Sequence, residues 1–106
     1  MLTAEELLAG AEITYEILIP EELLSGEGVS GKSGTIRIRP LSIGTFQLIM
    51  KGASEDPGLI PMLMVKEGLA EPKLTIAQVR NMPVGLLEFI LEQIREKSGL
   101  TKKKTT

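Results

Sequence analysis

The chain contains no cysteine and no histidine, and its only aromatic residues are Tyr15, Phe46 and Phe89. Without cysteine it has no disulfide, no thiolate metal site and no cysteine nucleophile. Without histidine it lacks the commonest general base and the commonest metal ligand of proteins. These absences argue against an enzyme, although carboxylate and lysine chemistry remain open. We expect no catalytic residue, no cofactor and no metal site.

Long hydrophobic runs are also missing. No apolar run reaches the roughly 18 residues that a membrane-spanning helix needs. The first ten residues, MLTAEELLAG, have neither the basic start nor the long apolar stretch of a secretory signal. We therefore expect a cytoplasmic protein without membrane contact. A length of 106 residues, of which 42% are hydrophobic and 25% charged, is ordinary for one small soluble domain.

Charge is unevenly distributed along the chain. Residues 1–31 hold seven glutamates and no basic residue, whereas residues 32–106 hold twelve basic and seven acidic residues. Such asymmetry favours self-association from head to tail, or a partner that contacts one half of the molecule. A solvated acidic hairpin with a basic tail is the alternative. Nucleic-acid binding needs a basic patch and stacking aromatics, and the chain is short of both, so we expect no nucleic-acid partner.

The first third of the chain predicts a short helix and an antiparallel hairpin. A capping-box spacing at Thr3 predicts a helix over 4–9. Residues 12–19 and 35–39 alternate apolar and polar side chains, which is typical of half-buried strands. The glycine-rich stretch 20–34 between them predicts a long loop. A lone hairpin is marginal in water, so helices or another chain must cover it.

From residue 42 onward the pattern turns helical. Ser42 is a suitable N-cap for a helix that runs to about residue 52. Its side chains at i, i+3 and i+4, which are Phe46, Ile49 and Met50, form the predicted inner stripe.

Three further helices are predicted after a turn at 56–58. The first, 59–69, is apolar around most of its circumference, so other elements or a partner must surround it. After a break at 70–73, a second capping box opens a short helix from Thr75 to about residue 82. The last helix spans about 84–98, and the sequence SGL that follows its last turn is a typical C-terminal stop.

These elements predict an α+β fold, mainly α, in which an N-terminal antiparallel β-hairpin packs on about four helices. We expect residues 1–100 to form one domain. Residues 101–106, TKKKTT, have nothing to bury and are expected to form a disordered basic tail.

One sequence motif matches the pattern of a nucleotide-binding site. Residues 26–33, GEGVSGKS, match the phosphate-loop pattern G-x-x-x-x-G-K-[ST]. A phosphate loop needs a buried strand directly before it and a helix that begins at its lysine. Here the preceding strand is expected to end at Pro20, and a strand rather than a helix follows Gly34. We interpret the segment as a glycine-rich hairpin loop.

Two groups of residues have both a structural and a functional interpretation. The first is a set of glutamates on the last helix: Glu88, Glu92 and Glu96. A solvated helix face explains them better than acid–base catalysis, which needs a carboxylate desolvated in a cleft. The second is a set of methionines: Met50, Met62, Met64 and Met82. Methionine is over-used on surfaces that accept several partners, but core filling is the alternative, and both stay open.

Five apolar residues on the predicted helices 59–69 and 84–98 are the candidates for partner contact: Met62, Val65, Leu69, Phe89 and Ile90. The sequence leaves open whether they form the core or an interface. A charge introduced at a core residue would collapse the fold, whereas a charge at an interface residue would remove only the association.

Two stretches carry a resemblance to a known family. They are RIRPLSIGTFQLI, residues 37–49, and LMVKEGLAEPKLTIAQVRNMPVGLLEFILEQIREKSGL, residues 63–100. In them a strand runs into R-P-L-S and a helix, and the break E-P-K-L-T precedes a short capped helix, a proline-started helix and the S-G-L ending. This arrangement resembles the small tail assembly chaperones encoded by long-tailed bacteriophages, prophages and phage-like elements.

The resemblance implies a non-enzymatic role in the host bacterial cytoplasm. Proteins of this family bind the tape measure protein, keep it soluble, help to recruit tail-tube subunits and leave before the virion is mature. Many are made in two lengths by ribosomal slippage, and Lys102–Lys104 could be encoded by a slippery run of adenines; a short solubilising tail is the alternative. The rival function is a structural virion subunit, such as a connector or tail-tube component.

Overall fold

A computed structural model of the chain describes residues 1–24 and 34–100. Within them the fold is α+β and mainly helical, as predicted. The helices and strands are, in chain order, α1 (Ala4–Leu8), β1 (Tyr15–Ile19), β2 (Gly34–Ile38), α2 (Ile43–Gly52), α3 (Ile60–Gly68), β3 (Leu69–Glu71), α4 (Ile76–Arg80) and α5 (Val84–Lys97). The phosphate-loop pattern at 26–33, most of the predicted loop and the basic tail at 101–106 lie outside the described residues.

The predicted antiparallel hairpin is confirmed. β1 pairs with β2 so that Tyr15 lies opposite Ile38 and Ile19 lies opposite Gly34. The alternation of side chains turns one face of both strands inward and buries Ile19 and Ile38. The first strand begins at Tyr15 instead of residue 12, because a 3-10 turn over Ala9–Glu12 continues from α1.

A third strand corrects the predicted break at 70–73. β3 pairs antiparallel with β2, with Arg37 opposite Glu71 and Ile38 opposite Leu69 across a bulge. Three residues are too few to show a period of two, so the sequence pattern does not reveal this strand. β3 also takes Leu69 from the predicted helix 59–69, which spans Ile60–Gly68.

Predicted caps fix the ends of the helices. The Ser42 Oγ accepts a hydrogen bond from the Thr45 N–H at 3.2 Å, and Thr75 and Gln78 form the reciprocal capping box. At the end of α5, Gly99 has a φ of +73°. The Leu100 N–H donates to the Arg95 carbonyl at 2.8 Å, which is the Schellman arrangement that the SGL ending predicts.

The core forms around α3. This helix contacts α2, α4, α5 and β3, so its own chain surrounds the apolar circumference that the sequence shows. Gly68 allows α3 to approach α5 closely, because a Cβ at this position would lie 2.7 Å from the side chain of Ile94. On α2 the predicted stripe is partly corrected: Ile49 is buried and Phe46 half-buried, but Met50 lies at the edge of the stripe and is 37% exposed.

Candidate functional site: an apolar groove at the N-terminal segment

Exposed apolar side chains collect where α1 faces the start of α2. Leu7 and Leu8 of α1 are 69% and 68% exposed, and Ile43, the first residue of α2, is 80% exposed. Single exposed apolar side chains are ordinary in soluble proteins. A contiguous group of them is a mark of an interaction site, so this region is the candidate functional site.

An open groove of about 560 Å³ separates α1 from the body of the domain. Leu7, Leu8, Gly10 and Ala11 line the wall formed by α1 and the turn that follows it. Side chains from β1, from the segment between β2 and α2 and from the start of α2 line the facing wall: Tyr15, Pro40, Leu41 and Ile43. We call this feature the N-terminal groove.

The polar side chains of the N-terminal groove are already engaged within the protein. The Ser42 Oγ, which caps α2, also donates to the Thr45 Oγ1 at 3.1 Å. The Ser98 Oγ accepts a hydrogen bond from the Leu41 N–H at 2.8 Å. The Lys97 Nζ lies 4.7 Å from the centroid of the Tyr15 ring, a cation–π contact. What remains for a ligand is mainly hydrocarbon surface, which suits apolar side chains better than a polar substrate.

The leucines of α1 stay exposed because this helix does not pack against the core. The Thr3 N–H donates to the Glu6 Oε1 at 2.8 Å and the Glu6 N–H donates to the Thr3 Oγ1 at 3.1 Å, so the predicted capping box fixes where α1 begins. The helix has five residues and buries none of them. Its main contacts are with the turn that follows it, not with the core. A helix this short is marginal in water without tertiary support.

The α1 side of the groove is acidic. Residues 1–12, which include α1 and the turn that follows it, contain Glu5, Glu6 and Glu12 and no lysine or arginine, and all three glutamates are exposed. Glu5 and Glu12 are close in sequence to the lining residues Leu8 and Ala11. The Arg37–Glu71 and Lys66–Glu67 ion pairs lie in other parts of the fold. The lining of the N-terminal groove is thus mostly hydrocarbon with Lys97 as its charged side chain, and Glu5 and Glu12 adjoin the α1 side of it in sequence.

The five residues predicted to contact a partner come together in the core. Val65, Leu69 and Ile90 are 0%, 4% and 3% exposed, and Met62 and Phe89 are half-buried against them. Core packing thus accounts for the three buried side chains, which offer a partner no surface in this fold. A role of Met62 and Phe89 in partner contact stays a prediction.

The four methionines also differ in how deeply they are buried. Met64 is buried, and Met62 and Met82 pack against the core, so core filling accounts for these three. Met50 borders a separate crevice with Phe46 and Leu100. It lies seven residues, or two helical turns, after Ile43, so the two side chains lie on the same side of α2, at the edge of its buried stripe.

Sequence reasoning missed Leu7, Leu8 and Ile43 as site residues. The signal in the sequence was the shortness of the helix predicted over 4–9, and shortness alone does not show whether Leu7 and Leu8 face the core. For Ile43 the pattern is misleading, because its spacing to Phe46 is the spacing of a buried stripe.

The acidic side chains of α5 are the alternative candidate site that the sequence offers. Glu88, Glu92 and Glu96 are exposed along α5, as predicted. Residues 1–24 and 34–100 hold no group of three acidic side chains placed to bind a metal ion. None of the helices in these two ranges is long and apolar enough to cross a bilayer.

The flanks of the phosphate-loop pattern have the predicted form. β1 ends at Ile19, and β2 begins at Gly34 and returns antiparallel to β1. A hairpin of this kind differs from the strand, loop and helix that a phosphate site requires. The motif itself lies outside the described residues.

Comparison of the chain with protein-family models, with curated proteins and with solved structures finds no significant match.

Proposed function

We propose that this protein is a non-enzymatic tail assembly chaperone of a bacteriophage or prophage, which binds the tape measure protein in the host cytoplasm, keeps it soluble and helps to recruit tail-tube subunits. The observation that carries the proposal is the N-terminal groove, where apolar side chains that a small domain would normally bury are left exposed beside the glutamates of the α1 wall.

The physical demand on such a chaperone fits this surface. An elongated helical client with exposed apolar seams aggregates unless something covers them. A chaperone of this kind needs hydrocarbon to cover the seam and charge to keep the complex in solution. The N-terminal groove supplies the hydrocarbon, and the exposed glutamates of α1 and of the turn that follows it supply the charge.

The resemblance adds support from a different part of the chain. Its two stretches, 37–49 and 63–100, include the end of β2, most of α2 and of α3, and all of β3, α4 and α5. They therefore cover the core helices and one wall of the N-terminal groove, whereas α1 and β1 lie outside them.

Co-expression tests the proposal directly. The tape measure protein encoded in the same genome would be produced alone, with this chain, and with an unrelated small acidic protein as control. We expect this chain to move the tape measure protein from the pellet to the supernatant and to co-purify with it. Insolubility of the tape measure protein in all three cases would refute a chaperone role.

The composition of finished particles separates the proposal from a structural role. A chaperone should be missing from purified tails, whereas a connector or tube component should be present at fixed stoichiometry. Quantitative mass spectrometry of purified particles decides between them.

A further inference from the structure

Resting on the proposed function, we propose that the N-terminal groove binds a helical segment of the client that carries an apolar stripe flanked by lysine or arginine. The inference names the surface of this chain that does the binding and the chemistry of the segment bound.

The shape of the groove favours a helix. A helix that docks in an apolar groove presents side chains at i, i+3 or i+4, and i+7 from one face. The N-terminal groove offers two facing apolar walls, with the leucines of α1 on one and Ile43 on the other. Gly10 and Gly44 also line it, and a Cβ would meet nothing within 4 Å at Gly10 and only the Ser42 Oγ at 4.0 Å at Gly44. Side chains of a partner can enter the space that these glycines leave.

The charge beside the groove favours basic residues next to the apolar stripe of the client helix. α1 and the turn that follows it carry the exposed glutamates Glu5, Glu6 and Glu12, and residues 1–12 contain no lysine or arginine. On the facing wall, Lys97 is held over the Tyr15 ring. A client segment with cations on the flank that faces α1 gains attraction, and an acidic segment is repelled.

The same charges disfavour a symmetric dimer of this chain that pairs through the N-terminal groove. In a symmetric dimer the same patch of both copies meets across the axis. Pairing through the N-terminal groove would bring Glu5 and Glu12 of one copy towards those of the other, and like charges brought together oppose association.

The test uses two matched pairs of variants. Ile43→Ser is paired with Val84→Ser: both are exposed β-branched residues at the first position of a helix, 80% and 71% exposed, and each precedes a glycine. Glu5→Gln with Glu12→Gln is paired with Glu88→Gln with Glu92→Gln, which removes the same charge from the exposed side of α5. Glu6 is left intact because it caps α1.

The probes are the tape measure protein itself and fluorescent peptides of about 20 residues that tile its sequence, a length that spans about 30 Å as a helix. Fluorescence anisotropy gives the Kd of each peptide. We expect the binders to have an apolar helical stripe and net positive charge. Ile43→Ser should weaken their binding about tenfold or more, as truncation of a buried interface side chain does. Val84→Ser should leave it within about twofold.

The charge variants, measured at low and at high salt, test whether basic residues flank the apolar stripe of the client segment. Glu5→Gln with Glu12→Gln should weaken binding about three- to tenfold and reduce its salt dependence, since attraction between exposed charges is screened by salt. The paired variant on α5 should change neither quantity. Hydrogen exchange gives a local readout: the amides of α1 should exchange freely in the unbound protein and become protected when a binding peptide is added.

Three outcomes would overturn the inference. If the wild-type chain keeps the tape measure protein soluble but Ile43→Ser behaves like Val84→Ser, the groove is not the binding surface and the proposed function stands. If the binding peptides are acidic or carry no apolar stripe, the assigned chemistry is wrong. If sedimentation shows a wild-type oligomer that Ile43→Ser dissociates, a second copy occupies the groove. Failure of the wild-type chain to solubilise the client is a separate result, which refutes the proposed function.

Discussion

The first and last helices of the described chain each carry a pair of adjacent leucines, but only the pair on the last helix packs against the core. α1 contains Leu7 and Leu8, both exposed, and α5 contains Leu86 and Leu87, both packed against the core. Both helices have well-marked starts, a capping box at Thr3 and a proline before α5. A cap therefore specifies where a helix begins, but not whether it is buried. Length alone does not decide burial either, because α4 has five residues, as α1 does, and still buries Val79. What differs is placement, since α4 and α5 pack against α3, whereas α1 contacts mainly the turn that follows it.

Truncation of a buried side chain on α5 should lower the free energy of unfolding more than any other change proposed here. Ile94 on α5 is fully buried, at 0% exposure, so Ile94→Ala should lower the free energy of unfolding by about 2–5 kcal/mol. Leu8→Ala on α1 should change it by no more than about 0.5 kcal/mol, since the side chain is exposed. Urea denaturation followed by circular dichroism measures both. Equal losses would mean that α1 belongs to the core.

The contact between α3 and α5 offers a sharper test of the buried side. Gly68→Ala places a Cβ 2.7 Å from the Ile94 side chain, and such overpacking costs about 1–3 kcal/mol of unfolding free energy. In an Ile94→Ala background the clash is gone, so the same change should cost close to nothing. A double-mutant cycle in urea measures the coupling. Additive losses would contradict the close approach of the two helices.

A hydrogen bond at the groove should have an intermediate effect. In Ser98→Ala the half-buried Leu41 N–H loses the Ser98 Oγ as its acceptor. An unsatisfied amide of this kind costs about 1–3 kcal/mol, and we expect the lower half of that range because the site is partly open to solvent. Urea denaturation gives the loss, and hydrogen exchange at Leu41 should accelerate. Unchanged exchange would show that another group holds this amide.

The smallest expected effect is a gain in stability at the start of α2. Gly44 lies within the helix, has no positive φ and has open space around it. Gly44→Ala should therefore raise the free energy of unfolding by about 0.5–1 kcal/mol. Thermal denaturation checks it. A loss of stability would mean that the first turn of α2 is strained or more crowded than its surroundings indicate.

The sequence was most informative where a signal is local. The capping residues Ser42 and Thr75, the alternation in the hairpin and the left-handed glycine after α5 each rest on chemistry within a few residues. All of these are confirmed.

The sequence was least informative where the outcome depends on what covers a surface. Periodicity shows that Val65, Leu69 and Ile90 belong to apolar faces, but not that these faces meet one another rather than a partner. The sequence does not reveal β3, because this strand forms only by pairing with the free edge of β2, which is distant in sequence. Ile43 has the spacing of a buried residue, and only the placement of α1 and α2 shows that it is exposed. The N-terminal groove could therefore not have been located before the fold was known.

Both ends of the described chain border the same cleft, since Leu7 and Leu8 lie on one wall and Lys97 and Ser98 beside the other. A purification tag or fluorescent protein attached close to either of these segments would consequently stand next to the surface under study and shield it. Genetic fusions intended to capture a partner are better inserted at an exposed turn far from it, such as Glu55–Gly58 between α2 and α3.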